Sequence, residues 1–380
     1  MRYAIVSETY PPEVNGVALT VQSLEHGLRA QGHTVTVVRP RQPDERHGHA
    51  GELLVRGAAL PRYPGLRFGL PATRTLQAHW AAVRPDAIYV ATEGPLGWSA
   101  LRAARRLHIP VATGFHTRFD QYMRNYGAGL LASPALAWMR RFHNSGTATL
   151  VPTRELAGFL QMHGFDHVVQ LPRAVDTRRF SPDRRDPDLR AQWGIGEHDL
   201  VALYVGRIAP EKNLELAVRA FRRLQHVRPD ARFVWVGDGP SRPQLQRDHP
   251  DFIFVGVQRH DALARHYASG DLFLFPSLSE TFGNVTLEAM ASGVATVAFD
   301  YGAAGEHLRD GVNGAAVAVD DDEGFVAAAS RIAGDDAGRT AMAHAARDAV
   351  GRLQPEQVAA DFDAVLRNLS GASDESTALA

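Results

Sequence analysis

Short apolar runs bounded by Gly, Pro, Asp or Asn alternate along the chain with longer stretches whose apolar residues recur at helical spacing. In the first half the runs are "RYAIVSE" (2–8), "TVTVVRP" (34–40), "DAIYVAT" (86–92), "PVATGF" (110–115), "ATLVP" (148–152) and "HVVQLP" (167–172). They are rich in Val, Ile and aromatic residues, which predicts buried strands. Between them, "GVALTVQSLEHGLRAQG" (16–32), closing on a glycine, and "PLGWSALRAARRL" (95–107) predict helices. The second half repeats the grammar with "LVALYVG" (200–206), "RFVWVG" (232–237), "FIFVG" (252–256), "LFLFP" (272–276), "VATVAF" (294–299) and "GAAVAV" (314–319), each followed by a helical stretch. Strand then helix, repeated, predicts an α/β protein with parallel sheets covered on both faces.

A chain of 380 residues exceeds one ordinary core, which predicts two domains. The stretch "LPRAVDTRRFSPDRRDPDLRAQWGIGEHD" (171–199) is dense in Pro, Asp and Arg and reads as the linker. Two doubly wound domains are expected over residues 1–185 and 186–352, with a ligand cleft where the carboxyl ends of their sheets meet. A last helical segment, 353–369, contains "PEQVAADFDAVLRNL", whose Val358, Phe362, Val365, Leu366 and Leu369 form one apolar stripe. Residues 370–380, "SGASDESTALA", read as a disordered tail.

Composition narrows the chemistry. The absence of cysteine excludes disulfides, thiol catalysis and thiolate metal sites. No run approaches the ~20 apolar residues of a membrane-spanning helix. The N-terminal run reads as a strand rather than a signal peptide, so a cytoplasmic protein is expected. The net charge of −1 hides an asymmetry: residues 1–190 carry 24 arginines against 15 acidic residues, and residues 191–380 carry 17 basic against 27 acidic residues. Two modules with different partners explain the split, as does unequal drift of surface charge.

Of the 41 basic residues, 40 are arginine and one is Lys212, five residues after Arg207 in "LYVGRIAPEKN". The loop follows a predicted strand, and Lys212 is expected to open the next helix. Two cations at a helix N-terminus form an anion site suited to phosphate, where a compact ammonium reaches between two phosphates that a planar guanidinium cannot enter. The alternative is a chance surface lysine. In "FPSLSETFGNVTLEAMASG" (275–293), Glu280 lies in a polar loop and Glu288 on the second turn of the following helix. Carboxylates accept hydrogen bonds from sugar hydroxyls, and the backbone N–H groups of Gly283, Asn284 and Val285 suit a phosphate. A capping carboxylate plus a solvated helix face accounts for the same spacing.

In "SETYPPEVNGVALT" (7–20), Asn15 and Gly16 stand between the first strand and its helix, where a phosphate can approach the backbone. "ATGFHTRFDQY" (112–122) places His116 just past a strand, as a structural or a functional histidine. His47, His49 and Asp320–Asp322 read as solvated surface rather than metal ligands. No dinucleotide-binding fingerprint is present, and no nucleic-acid partner is expected.

The motifs "GRIAPEKN", "VGDGP" and "SETFGNVTLEAMASG", with the earlier "PPEVNGV", "GFHT" and "VDTRRFSP", resemble the retaining glycosyltransferases of family 4 with the GT-B fold, over residues 1 to about 350. The resemblance implies two Rossmann-like domains facing each other across a cleft. A nucleotide-sugar donor would bind the C-terminal domain, an acceptor the N-terminal one, and the last helix would cross back onto the N-terminal domain. By position, Arg207 and Lys212 would bind the donor diphosphate, Glu280 the donor sugar and Glu288 the ribose. Gly16 would lie by the diphosphate, His116 by the reacting sugar, and Gly256 and Val257 would face the nucleobase. Neither a metal nor another cofactor is implied. "SETYPPEVNGVALTVQSL" and "FHTRFDQYMRNYG" most resemble the GDP-mannose-dependent α-mannosyltransferase subgroup, with UDP-sugar-dependent glycolipid transferases close behind.

The implied reaction is same-face substitution, with the leaving diphosphate stabilised by Arg207 and Lys212 and able itself to take the acceptor's proton. A nucleotide-sugar 2-epimerase shares the architecture. A glycan phosphorylase would need a lysine for pyridoxal phosphate, and a sugar-nucleotide sensor would bind donor without transfer. Residues 118–142 interleave aromatics, among them Tyr122, Tyr126 and Trp138, with arginines that include Arg140 and Arg141. This stretch is a candidate contact with an anionic membrane surface and with a lipid-linked or glycan acceptor, or else a pair of ordinary packed helices.

Overall fold

The Val-rich and aromatic runs pair into two parallel sheets. In the computed structural model the described residues are 1–13, 15–45, 47–59, 67–116, 132–196, 199–280 and 282–378, the side chains of 132 and 372–378 excepted. The first half contains β1 (Arg2–Val6), β2 (Thr34–Pro40), β3 (Glu52–Val55), β4 (Gly57–Ala59), β5 (Arg67–Gly69), β6 (Ala87–Val90), β7 (Val111–Gly114), β8 (Ala148–Val151) and β9 (Val168–Gln170). Seven of these form a sheet in the order β3-β2-β1-β6-β7-β8-β9, while β4 and β5 form a separate antiparallel pair. The second half contains β10 (Val201–Val205), β11 (Arg232–Val236), β12 (Ile253–Gly256), β13 (Leu272–Phe275), β14 (Ala295–Phe299) and β15 (Ala315–Val317), in the order β12-β11-β10-β13-β14-β15. Every residue of β6, β7, β8, β10, β13 and β14 is buried, so these strands lack the polar alternation of a sheet with one wet face.

Each sheet reverses its strand order once, between β1 and β6 in the first and between β10 and β13 in the second. Loops leaving the carboxyl ends of two such neighbours diverge to opposite faces and leave a crevice, where ligands bind in open α/β sheets. The chain divides into two units, one of residues Met1–Ala174 with everything from Pro355 onward, the other of Val175–Gln354. The sequence places the boundary at 185/186, but residues 175–185 pack with the second unit. The Val175 N–H donates to the Leu353 carbonyl at 2.7 Å, Phe180 packs edge-on to Tyr267 at 5.8 Å, and Arg185 reaches Asp271 at 2.9 Å. Linker-like composition conceals these contacts because arginine and aspartate are used here on specific partners.

The helix Pro355–Ala378 belongs to the first unit. Val358, Phe362 and Leu366 are buried in one cluster with Tyr3, Ile5, Leu24, Leu28 and Tyr89, and Phe362 meets Tyr89 edge-on at 5.0 Å. Asp363 accepts from the Tyr3 hydroxyl at 2.7 Å and pairs with Arg367 at 2.6 Å and His33 at 3.0 Å. The expected disordered tail is a correction: the helix continues past 369 to Ala378, since extending a formed helix costs far less than starting one. The strands β3, β4 and β5 are absent from the sequence expectation because they are three or four residues long and mostly half-buried. Phe362→Ala should destabilise the first unit by about 3–5 kcal/mol. Denaturant titration checks this, and a loss below about 1 kcal/mol would show the helix to be a surface appendage.

Candidate active site

In the second unit, Arg207, Lys212 and Glu280 sit on the loops that leave β10 and β13, the neighbours at the reversal. After β10 come Arg207 and a 3₁₀ turn, Pro210–Lys212. Lys212 does not open the next helix as expected. Asn213 takes a left-handed conformation (φ 54°) and separates the turn from the helix Leu214–Leu224. The lysine instead reaches the β13 loop, where its Nζ donates to Glu280 Oε1 at 2.6 Å and to Ser279 Oγ at 3.0 Å. Ser277 Oγ donates to the same carboxylate oxygen at 3.0 Å. With side chains only 14% and 22% exposed, this ion pair is held in place. Arg207 is different: its side chain is 59% exposed and pairs with Glu211 four residues on. An exposed pair of that kind contributes little and is readily exchanged for another anion. The two cations therefore rest on different carboxylates rather than converging.

The β13 loop ends at Gly283, whose left-handed conformation (φ 92°) caps the helix Asn284–Ala291. A glycine has no side-chain oxygen to cap with, so the first-turn N–H groups of Asn284 and Val285 have no intrahelical acceptor. The positive end of a helix of this kind suits an anion. Glu288, one turn further, is half-buried and its Oε2 accepts from the Tyr267 hydroxyl at 3.0 Å. Burial pushes its carboxyl up to about 7, against the smaller opposing pull of that hydrogen bond. It lies on a partly covered helix face, not a solvated one. Gly256 ends β12, and Val257 beside it is a 58% exposed apolar side chain.

In the first unit, Asn15 is the N-cap of the helix Gly16–Ala30. Its Oδ1 accepts from the Ala18 N–H at 2.9 Å, and its Nδ2 donates to Thr9 Oγ1 at 2.6 Å. His116 is buried two residues past β7. Its Nε2 lies 2.8 Å from the Tyr89 hydroxyl, and its Nδ1 meets the Arg173 guanidinium. A guanidinium only donates, so Nδ1 accepts and the proton sits on Nε2. Burial, then the charges of Arg173 and His143, hold the imidazole well below its usual range, so the ring is neutral.

Two residues here escaped the sequence reading. Arg173 stands three residues past the end of β9, and that position at a strand's carboxyl end was the available signal. Glu8, two residues past β1, accepts from the N–H groups of Leu96 (2.9 Å) and Gly69 (2.8 Å), serving the helix Pro95–Arg106 whose N-cap, Gly94, has no side chain. Burial raises its carboxyl above the ordinary value despite those donors.

Tyr122 and Tyr126 lie outside the described residues. Arg140 and Arg141 are exposed on the helix Ala132–His143, whose Met139 and Phe142 are buried while Trp138 is 43% exposed. Arg140 also donates to the His163 carbonyl at 3.2 Å, beside Met162, the most exposed large apolar side chain among the described residues. Among the described residues no group of three or more His, Asp or Glu is placed to hold a metal, and no helix is long and apolar enough to cross a membrane.

Two parallel-sheet, Rossmann-like units are the architecture of the GT-B class, which solved glycosyltransferase structures similar to this chain share. Residues 14–179 match the description "Glycosyltransferase Family 4" and residues 199–335 match "Glycosyl transferases group 1". The GDP-mannose-dependent alpha-mannosyltransferase of Mycolicibacterium smegmatis is 37% identical over 309 residues, 80% of each chain. That of Corynebacterium glutamicum is 34% identical over 358 residues, 92% of this chain and 84% of its own. The alpha-monoglucosyldiacylglycerol synthase of Streptococcus pneumoniae is 26% identical over 78% of this chain and 71% of its own. Sucrose-phosphate synthase from Thermosynechococcus elongatus shares the fold with a TM-score of 0.77 at 20% identity, covering 98% of this chain and 99% of its own. The chain belongs to family 4 of the glycosyltransferases and is a hexosyltransferase.

Glu288 makes a pH prediction. Its folded carboxyl keeps a proton to about 7, whereas an unfolded one loses it near 4.5. The ligand-free protein should therefore lose stability as pH rises through that window and level off above it. Glu288→Gln removes this contribution, so the variant's Tm should gain on the wild type between about pH 5 and 8. Parallel Tm–pH curves for the two proteins would show that Glu288 titrates normally.

Proposed function

We propose that the enzyme transfers mannose from GDP-mannose, with retention, to a hydroxyl of a lipid-linked or glycan acceptor. The observation that carries the reading is the Lys212–Glu280 pair at 2.6 Å, one cation and one carboxylate held side by side at the reversal of the second sheet. When donor enters, the diphosphate draws Lys212 and Arg207, and Glu280 turns its free acceptor capacity to the sugar hydroxyls. The amides of Gly283, Asn284 and Val285 at the helix start take phosphate oxygens, and Glu288 takes the ribose. Gly256 and exposed Val257 offer the base an apolar edge. Neutral His116 is engaged at both ring nitrogens by Tyr89 and Arg173, so it is not set up as a general base.

Departure of the diphosphate develops negative charge, and pre-placed cations stabilise it without reorganisation. Once drawn to the diphosphate, Lys212 and Arg207 supply the positive charge that a divalent metal supplies elsewhere, so no metal enters the reading. The acceptor attacks from the face the diphosphate leaves, and a leaving phosphate oxygen takes its proton. GDP-mannose is favoured as donor by the names of the M. smegmatis and C. glutamicum relatives. A lipid-linked acceptor is favoured by the diacylglycerol in the name of the pneumococcal relative and by the exposed Trp138, Arg140, Arg141 and Met162.

Thermal-shift screening with GDP-, UDP- and ADP-sugars, followed by mass spectrometry of lipid products, tests the reading. Donor turnover without added acceptor would favour an isomerase instead. Lys212→Arg should lower kcat/KM severely, because a planar fork cannot fit between Ser279 and Glu280. A variant retaining more than half of wild-type kcat/KM, a loss under ~0.5 kcal/mol, would make the lysine incidental. We also propose reversible association with the cytoplasmic face of a membrane through the helix Ala132–His143, each nearby arginine contributing ~1 kcal/mol at an anionic surface. The protein should sediment with vesicles containing anionic lipid at low salt and be released at high salt. Arg140→Gln with Arg141→Gln should weaken that binding and leave donor affinity unchanged. A wild type indifferent to anionic vesicles would point to a soluble acceptor.

A further inference from the structure

Glu280 can hold a sugar only if its backbone is held, and the structure concentrates that task on one side chain. After β14 the chain turns at Tyr301 into the short helix Gly302–His307. Gly302 has φ 57°, and a Cβ there would stand 2.6 Å from the Phe282 carbonyl oxygen. That close approach lets the Ala303 N–H donate to the same oxygen at 2.6 Å. One residue earlier, the Tyr301 hydroxyl donates to the Ser277 carbonyl at 2.8 Å and accepts from the Glu280 N–H at 2.9 Å. The loop that carries Glu280 is thus tied to residues 301–303 at three backbone points, two of them through a single phenol. Lys212, Ser277 and Ser279 interact with the loop through side chains.

A small cavity of about 10 Å³, bordered by Phe275, Ser277, Glu280, Phe282, Thr286 and Tyr301, lies against the loop. A space that size holds at most one water. Burial also pushes the Tyr301 hydroxyl above its ordinary range, so it keeps its proton and remains a donor at all physiological pH values.

We propose that Tyr301 is a positioning residue for sugar transfer: its hydroxyl, bridging the Ser277 carbonyl and the Glu280 N–H, sets where the Glu280 carboxylate stands when the donor sugar is bound. The inference rests on the reading of Glu280 as the group that holds that sugar. A carboxylate displaced by about 1 Å from a reacting group loses on the order of 10²-fold in rate, while a nucleoside diphosphate bound through other groups is little affected. The loss therefore falls on kcat.

The test compares Tyr301→Phe, Glu280→Gln and the double variant in a transfer assay, with GDP affinity measured by calorimetry. Tyr301→Phe should lower kcat by about ten- to a hundredfold and leave the Kd for GDP within about twofold. The double variant should be no slower than Glu280→Gln alone, because the tyrosine acts only through the glutamate. Independent, multiplying effects would overturn the proposal, as would a Tyr301→Phe kcat within twofold of wild type. A fall in GDP affinity in step with kcat would also overturn it, since that marks a general loosening of the unit. If Glu280→Gln itself transfers at the wild-type rate, the reading of Glu280 fails, and the inference with it. Hydrogen exchange of the wild type gives a second measurement that needs no variant: the Glu280 amide should be protected, and exchange at the rate of an unstructured peptide would overturn the bridge.

Discussion

The Lys212 ammonium and the Glu280 carboxylate meet because two parallel strands, β10 and β13, are neighbours in the sheet though about seventy residues apart in the chain. Parallel strands deliver their carboxyl-end loops to one edge, and the reversal of strand order keeps the intervening helices from filling the space between. Everything chemical in the second unit depends on that constraint. It brings together a cation, a carboxylate and a helix start whose N-cap is a glycine, and none of the three is a site by itself. A half-buried ion pair is also costly to leave with one partner missing. A donor with a diphosphate and a hydroxyl-rich sugar offers each partner a replacement at once.

The first unit uses the same edge differently. Its polar groups past the strand ends are mostly engaged with one another: Glu8 with the start of a helix, Asn15 with its own helix and Thr9, and His116 with Tyr89 and Arg173. This arrangement fixes shape more than it stores charge. A neutral imidazole pinned at both nitrogens has one orientation and no free nitrogen with which to shuttle protons.

Much of the fold was legible because buried parallel strands have a strong signature. The runs "TVTVVRP" and "RFVWVG" need no context to be read, and their strands fall where the apolar residues are. The short strands β3, β4 and β5 were not legible, since half-buried segments of three or four residues resemble loops. The linker composition of residues 171–199 hid contacts of Phe180 and Arg185 that depend on partners about ninety residues away. The tail past 369 lacks an apolar stripe, and only its continuity with a docked helix makes it helical.

For the site, the sequence by itself determined which residue types were present: a single lysine in an arginine-rich chain, two carboxylates eight residues apart, a glycine before a helix, and a histidine past a strand. These are local facts of spacing and residue type. Only the tertiary structure decided how they are used. It turned Lys212 onto Glu280 rather than onto Arg207's side, covered Glu288 so that burial pushes its carboxyl up to about 7 despite the Tyr267 hydroxyl, and recruited Arg173, Glu8 and Tyr301 from strand ends far away in the chain. The physical reason is that hydrogen bonds and ion pairs act over about 3 Å between groups that the sheet order, not the chain order, makes adjacent.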